Sequence, residues 1–144
     1  MSEQQTYQNH TRWFPFVHFV LTPLLLFHLI WQTVRLYQEP NWDRAESVLL
    51  AIVLIMLSIA ARLQALKAQD RVIRLEERLR YQKLLPNDLA EKAMNLKTSQ
   101  MIGLRFASDE ELPELVQKTL NGELTTTKDI KLAVKNWRGD YLRV

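Results

Sequence analysis

Two long stretches without a formal charge set the layout of the chain. Residues 13–34 hold no Asp, Glu, Lys or Arg over 22 positions, and 13 of these are Leu, Ile, Val or Phe. Such a run is long enough to cross a bilayer as a helix. Residues 47–61 (SVLLAIVLIMLSIAA) form a second uncharged stretch of 15, nine of them Leu, Ile or Val. Alone, that length also suits a buried helix of a water-soluble protein. Trp42 before it and Arg62 after it, whose stem can snorkel toward the headgroups, extend the usable length to about 30 Å. Glu39-Pro40-Asn41 between the stretches is a turn signal. A tight antiparallel hairpin follows, with spans about 13–35 and 43–62.

No Gly or Pro separates the second stretch from residues 62–85 (RLQALKAQDRVIRLEERLRYQKLL). One helix is therefore expected to run from an apolar half into a charged half and to stop only at Pro86. Along it Ala61, Ala65, Ala68, Val72, Leu75 and Leu79 recur at spacings of 4, 3, 4, 3 and 4. That alternation is the seam of a heptad. Asp70–Arg74 and Glu76–Arg80 are acid-to-base pairs four apart, expected on the exposed side. Two coverings of the seam stay open. One is the protein's own C-terminal helices; the other is a second copy or a partner helix, helped by the high effective concentration that membrane anchoring gives.

Residues 86–144 read as three or four short helices. Pro86-Asn87 opens one to about residue 95, and Thr98 or Ser99 caps the next. Ser108 with Glu111 forms a capping box into 112–120, which Asn121-Gly122 ends. Thr126 with Asp129 caps a last helix carrying Ile130, Val134 and Trp137 on one face and ending at Gly139. In the first span Pro23 falls mid-helix and cannot bond the carbonyl of Phe19, so a kink is expected there, with Thr22 able to serve the freed backbone groups. Trp13 marks one interface, and Trp31, Tyr37 and Trp42 the other.

Charge adds an orientation. The net charge is only +3, but 16 of 19 Lys and Arg, against 12 of 16 Asp and Glu, lie after residue 61. Seven basic residues follow the second span within residues 62–83, whereas the hairpin loop offers Arg35 and Arg44. By the positive-inside rule the tail and the N-terminus both face the cytoplasm, with the basic stretch against anionic headgroups. Interspersed acids and sparse aromatics speak against nucleic acid as a partner. A cleaved signal peptide fits poorly, because the apolar run is long and no small-residue cleavage site follows.

Candidate chemistry is thin. The chain has no Cys and three Gly, which excludes thiolate sites and disfavours Gly-rich phosphate loops. No nucleophile elbow or metal-spaced His pair is present, so an enzyme is not expected and no catalytic residue is assigned. Asp109, Glu110, Glu111 and Glu114 are accounted for by the helix dipole instead of a metal. Of His10, His18 and His28, two lie in the first span, where ionisable groups are functional candidates. His18 and His28 are therefore the candidate cofactor ligands, for haem or a chlorophyll-type pigment. Ten residues apart, they diverge by about 80° around a helix and cannot share one cofactor within a chain. The bland alternative is an interfacial or hydrogen-bonded His.

Residues 69–80 (QDRVIRLEERLR), Leu84-Leu85-Pro86, residues 104–115 (LRFASDEELPEL) and the ending KNWRGDYLRV give the chain a resemblance to a bacterial family of small two-span membrane proteins, known only as a domain of unknown function. Val17-His18-Phe19 adds to it. The resemblance implies a bacterial two-span protein and no activity. The expectation is thus an all-α protein with a flexible tail over 1–12, a transmembrane hairpin over 13–61, a basic cytoplasmic helix over 62–85 and a small helical module over 86–144. It would be an accessory or scaffolding subunit of the bacterial inner membrane, docking a membrane complex or a second copy through Val72, Leu75, Leu79, Trp137, Tyr141 and Leu142.

Overall fold

The computed structural model describes residues 6–8 and 14–140. Trp13, His10, Tyr141 and Leu142 lie outside the described residues. Among the described residues six α-helices follow a short π-helical segment: α1 (Thr22–Gln38), α2 (Trp42–Leu84), α3 (Asn87–Ala93), α4 (Thr98–Leu104), α5 (Leu112–Leu120) and α6 (Thr127–Ala133). Among the described residues the only β pairing is an isolated antiparallel bridge between Ala107 and Trp137. The fold is all-α, as the sequence predicts. It divides into two compact units, Arg12–Leu66 and Met1–Thr11 with Lys67–Val144, and α2 runs through both.

The unit over Arg12–Leu66 holds two helices long and apolar enough to cross a membrane, Phe16–Gln38 and the start of Trp42–Leu84. Most of their large apolar side chains are exposed, from Phe16 and Phe27 to Met56 and Leu57. One stripe on each is part-covered, Leu21, Leu25, Leu29 and Leu36 on the first and Val48 and Ile55 on the second, with Ala51 buried. Apolar side chains left open on this scale call for a cover, either protein or lipid. Ahead of Pro23 the chain widens into the π-helical segment Phe16–Leu21. This register avoids the clash of the proline ring with the carbonyl four residues back. The Thr22 hydroxyl donates to the Val17 carbonyl at 2.8 Å, which is the service expected of it. At the turn, the Asn41 side chain accepts from Arg44 N–H at 2.9 Å and caps α2. The Arg44 guanidinium then donates to the Arg35 carbonyl at 2.7 Å and pairs with Glu39, closing the end of α1.

In the second unit Pro86 stops α2 and opens α3. The four short helices enclose Met101, Leu104, Leu112, Val116 and Ile130, and into this core α2 sends Tyr81, with Leu85 following it. α5 ends in a Schellman motif: Gly122, at φ 81°, donates to Thr119 and Glu123 N–H donates to the Lys118 carbonyl at 3.0 Å. α6 starts where expected, with the Thr126 hydroxyl accepting from Asp129 N–H at 3.1 Å and the Asp129 carboxylate accepting from Thr126 N–H, also at 3.1 Å.

Three local expectations are corrected. Lys97 is the cap position of α4, and its backbone N–H is met by the Gln100 side chain at 3.0 Å, so Thr98 is already helical. Only half of the Ser108–Glu111 box forms: Glu111 N–H donates to the Ser108 hydroxyl at 3.3 Å, but the Glu111 carboxylate is used elsewhere and the helix itself begins after Glu111. α6 ends at Ala133, not at Gly139, because Val134 is extended and residues 136–138 pair with 106–108 instead. Trp137 then packs on Phe106, with the ring centres 4.8 Å apart and the planes tilted by 36°.

α4 and α6 approach closely at Gly103, where a Cβ would lie 2.9 Å from Ile130 Cγ2. Gly103→Ala is expected to destabilise this unit by about 1–3 kcal/mol through overpacking. A lowered thermal midpoint of the full chain in detergent checks it.

Candidate interaction surface

From Lys67 to Leu84 the helix α2 presents two faces. At about 100° per residue, Ile73, Glu77 and Tyr81 fall on one side, and Val72, Leu75 and Leu79 on a side roughly 160° away. The first three are buried, at 5%, 3% and 0% exposure. The second three stand 54%, 60% and 59% exposed. The C-terminal module therefore covers the face opposite the heptad seam. Of the two coverings open from the sequence, the protein's own helices are thereby ruled out for these residues. Ala68, one seam position earlier, is exposed as well.

Polar contacts fix which face is turned in. Arg80 is drawn inward: its guanidinium donates to Asp109 at 2.6 Å and to the Ala107 carbonyl at 2.7 Å, and lies 3.4 Å from the Glu77 carboxylate. The expected Glu76–Arg80 pair does not form, because Arg80 has these partners instead, and no ion pair joins Asp70 to Arg74 among the described residues. Arg138 approaches Glu77 from the far end of the module at 3.9 Å. Burial pushes the Glu77 carboxyl above its ordinary range, and the guanidiniums of Arg80 and Arg138 pull it part of the way back. Burial likewise pushes the Tyr81 hydroxyl up, with the Glu77 charge adding to the effect.

Arg138 is held by the segment after α6. Its N–H donates to the Phe106 carbonyl at 2.8 Å, and Ser108 N–H donates to the Asn136 carbonyl at 3.1 Å. The Glu111 carboxylate accepts from the N–H groups of Lys135 and Asn136 at 3.0 and 2.6 Å. The acidic run thus has separate employments: Asp109 holds Arg80, Glu111 holds the return segment, and Glu114 pairs with Lys118 at 2.6 Å. Among the described residues no cluster of His, Asp and Glu could hold a metal ion. Between α2 and the return segment runs a groove of about 610 Å³. Its lining has four basic residues (Arg80, Lys83, Arg105, Arg138) and four acidic ones (Glu76, Glu77, Asp109, Asp140), so it offers no excess charge to an ionic ligand.

The residues singled out from the sequence separate into groups. Val72, Leu75 and Leu79 share one exposed face. Trp137 is half-buried against Phe106 and belongs to the module's own packing. His18 sits in the π-helical segment with Nδ1 at 3.0 Å from the Phe14 carbonyl. A carbonyl only accepts, so in this contact Nδ1–H is the donor. His28 lies six positions into α1. Sequence reasoning missed the polar lock of Glu77, Arg80, Arg138 and Asp109. Its one available signal was the second stripe Ile73, Glu77, Tyr81, Leu85, spaced by four and broken by an acid.

Compared with known proteins, residues 1–144 match the model of DUF6526, described as a family of unknown function, and the chain belongs to that family over its whole length. No curated protein and no solved structure matches it.

An acid whose pKa is raised on folding holds its proton more tightly in the folded chain. Its contribution to stability is greatest at or below the ordinary value of 4.5 and falls as pH rises through the window above it. Glu77→Gln keeps an oxygen facing Arg80 and cannot ionise. The melting temperature of the variant minus that of the wild type is therefore expected to grow as pH is raised from about 4.5 toward neutral. A difference that stays flat would show that Glu77 does not titrate in that window.

Proposed function

We propose that this member of DUF6526 is a non-catalytic integral membrane protein that docks a partner through the outward face of α2. The observation that carries the reading is the exposure of Val72, Leu75 and Leu79 on a helix whose opposite face is sealed. An aliphatic stripe at heptad spacing, left open on a folded helix, is what a partner helix buries. In this reading the two long apolar helices cross the cytoplasmic membrane of a bacterium as a hairpin. Arg62 and Lys67, the basic residues nearest the second span, face anionic headgroups, and the basic excess that follows keeps both termini in the cytoplasm. The small module is a folded platform that orients α2, and the role is that of an accessory or scaffolding subunit.

The test is size and company in mild detergent. Leu75→Asp with Leu79→Asp is expected to remove the co-purifying partner or reduce the oligomer to a monomer, since a charge on a helix seam is strongly disfavoured. Both residues are more than half exposed, so the thermal midpoint of the detergent-solubilised monomer is expected to stay close to wild type. Survival of the assembly with both charges in place would remove the docking reading. A C-terminal tag digestible from outside intact cells would overturn the orientation.

A second reading rests on His18. Donation of Nδ1–H to a backbone carbonyl is the arrangement metal-ligating histidines use to fix the other nitrogen for coordination. On it the protein is a haem or pigment subunit, with His28 the second candidate ligand. Purified protein would then show an absorption band that disappears in His18→Ala; a featureless visible spectrum removes this reading.

A further inference from the structure

We propose that the occupant of the outward face of α2 is a second copy of this chain, aligned in parallel, with Arg71 of each copy set against Glu76 of the other. The inference rests on the docking reading above and names its partner.

Register comes first. With Val72 and Leu79 at the a positions of the heptad, Ala68 and Leu75 take the d positions. Arg71 and Arg78 fall at g, and Gln69, Glu76 and Lys83 at e. In a parallel pair a g residue meets the e residue five later on the partner. Arg71 therefore meets Glu76, and symmetry makes the contact twice. Both side chains are exposed, and among the described residues neither is engaged in an ion pair. Glu76 is left available because Arg80, its expected partner, is turned inward to Asp109 and Glu77. The next g-to-e meeting, Arg78 with Lys83, would repel. Arg78 is instead half-buried and donates to the Met94 carbonyl at 3.0 Å, which withdraws it from the seam. The one attractive pair is presented and the one repulsive pair is drawn aside.

Direction and reach agree with this. Both copies enter one bilayer from the same side, so their α2 helices can only run parallel. Val72 to Leu79 lie ten to seventeen residues beyond Arg62, about 15–25 Å along the helix axis, too far to rest on headgroups. Lipid is therefore not the cover. Three large aliphatics per copy are few for a free coiled coil, but confinement to a membrane raises the effective concentration. The small side chain of Ala68 lets the helices approach closely where the seam begins.

The chain has no cysteine, so single-cysteine variants of the full protein in native membranes read the contact directly. V72C and L75C are expected to give disulfide-linked dimers on mild oxidation. R74C, exposed but about 140° from the seam centre, is expected to give little. In the L75C background, Arg71→Glu or Glu76→Arg alone turns two attractive contacts into two repulsive ones and should lower the dimer yield about tenfold. The double exchange should restore it. Equal cross-linking from positions 74 and 75, or no rescue by the double exchange, overturns the parallel pairing. If V72C and L75C give no dimer while Leu75→Asp still strips a protein of different mass from the purified sample, the second copy is excluded and the docking reading stands. If neither effect is seen, both fall.

Discussion

The rest of the fold depends on the choice that α2 makes between its two apolar faces. Either Ile73, Tyr81, Leu84 and Leu85 or Val72, Leu75 and Leu79 offers enough area to receive the four short helices, at about 25 cal/mol per Å² buried. Area alone does not separate them by much. What separates them is Tyr81, the largest side chain fully enclosed, and the polar set around it. Arg80 finds a carboxylate and a carbonyl only with that side turned in, and Glu77 finds two guanidiniums. A buried charge left without partners costs several kcal/mol, so rotating the helix would be opposed twice. The aliphatic seam is left outside because the polar groups have nowhere else to go.

That lock has a second half, supplied late in the chain. Arg138 reaches Glu77 because residues 136–138 pair with 106–108, and this pairing exists because α6 stops after Ala133. Glu111 takes up the N–H groups of Lys135 and Asn136 that the ended helix would otherwise leave unmet. Phe106 sits under this return with Trp137 tilted against it and the cations of Arg105 and Lys131 at 4.6 and 5.2 Å from its ring centre. One aromatic thus anchors the turn that carries the far arginine to the buried acid.

Much of this was legible in the sequence, and the larger failures share a cause. Several signals that act over three or four residues read correctly: the Asn121-Gly122 stop of α5, the Thr126–Asp129 cap, and Pro86 between α2 and α3, whereas the starts of α4 and α5 fell one to three residues away from the expected caps. Pro23 with Thr22 announced a disturbed first helix, and the disturbance takes the form of a π-helical segment. The seam spacing was read, but not which cover it lacks within the chain. Trp137 was placed on a helix because 130, 134 and 137 fit its period; a bridge to Ala107, thirty residues earlier, overrode that local pattern. Arg80 was given to Glu76 for the same reason, with Asp109 winning by a contact across 29 positions. Periodicity sees along a helix and not across a fold.

Opposite placement of the two faces has a consequence for how such a protein can assemble. A residue that serves both a core and an interface ties association to folding, so that each change in one disturbs the other. Here Ile73, Glu77 and Tyr81 serve the module while Val72, Leu75 and Leu79 serve nothing inside the chain. The module can therefore be complete before any partner arrives, and the outward face needs little ordering on contact because the helix beneath it is already formed. The same 43-residue helix begins in the apolar hairpin and ends at Pro86. On the proposed reading, anchor and docking face share one unbroken backbone, and the entropy of searching for a partner would be reduced by the anchor rather than by a larger interface.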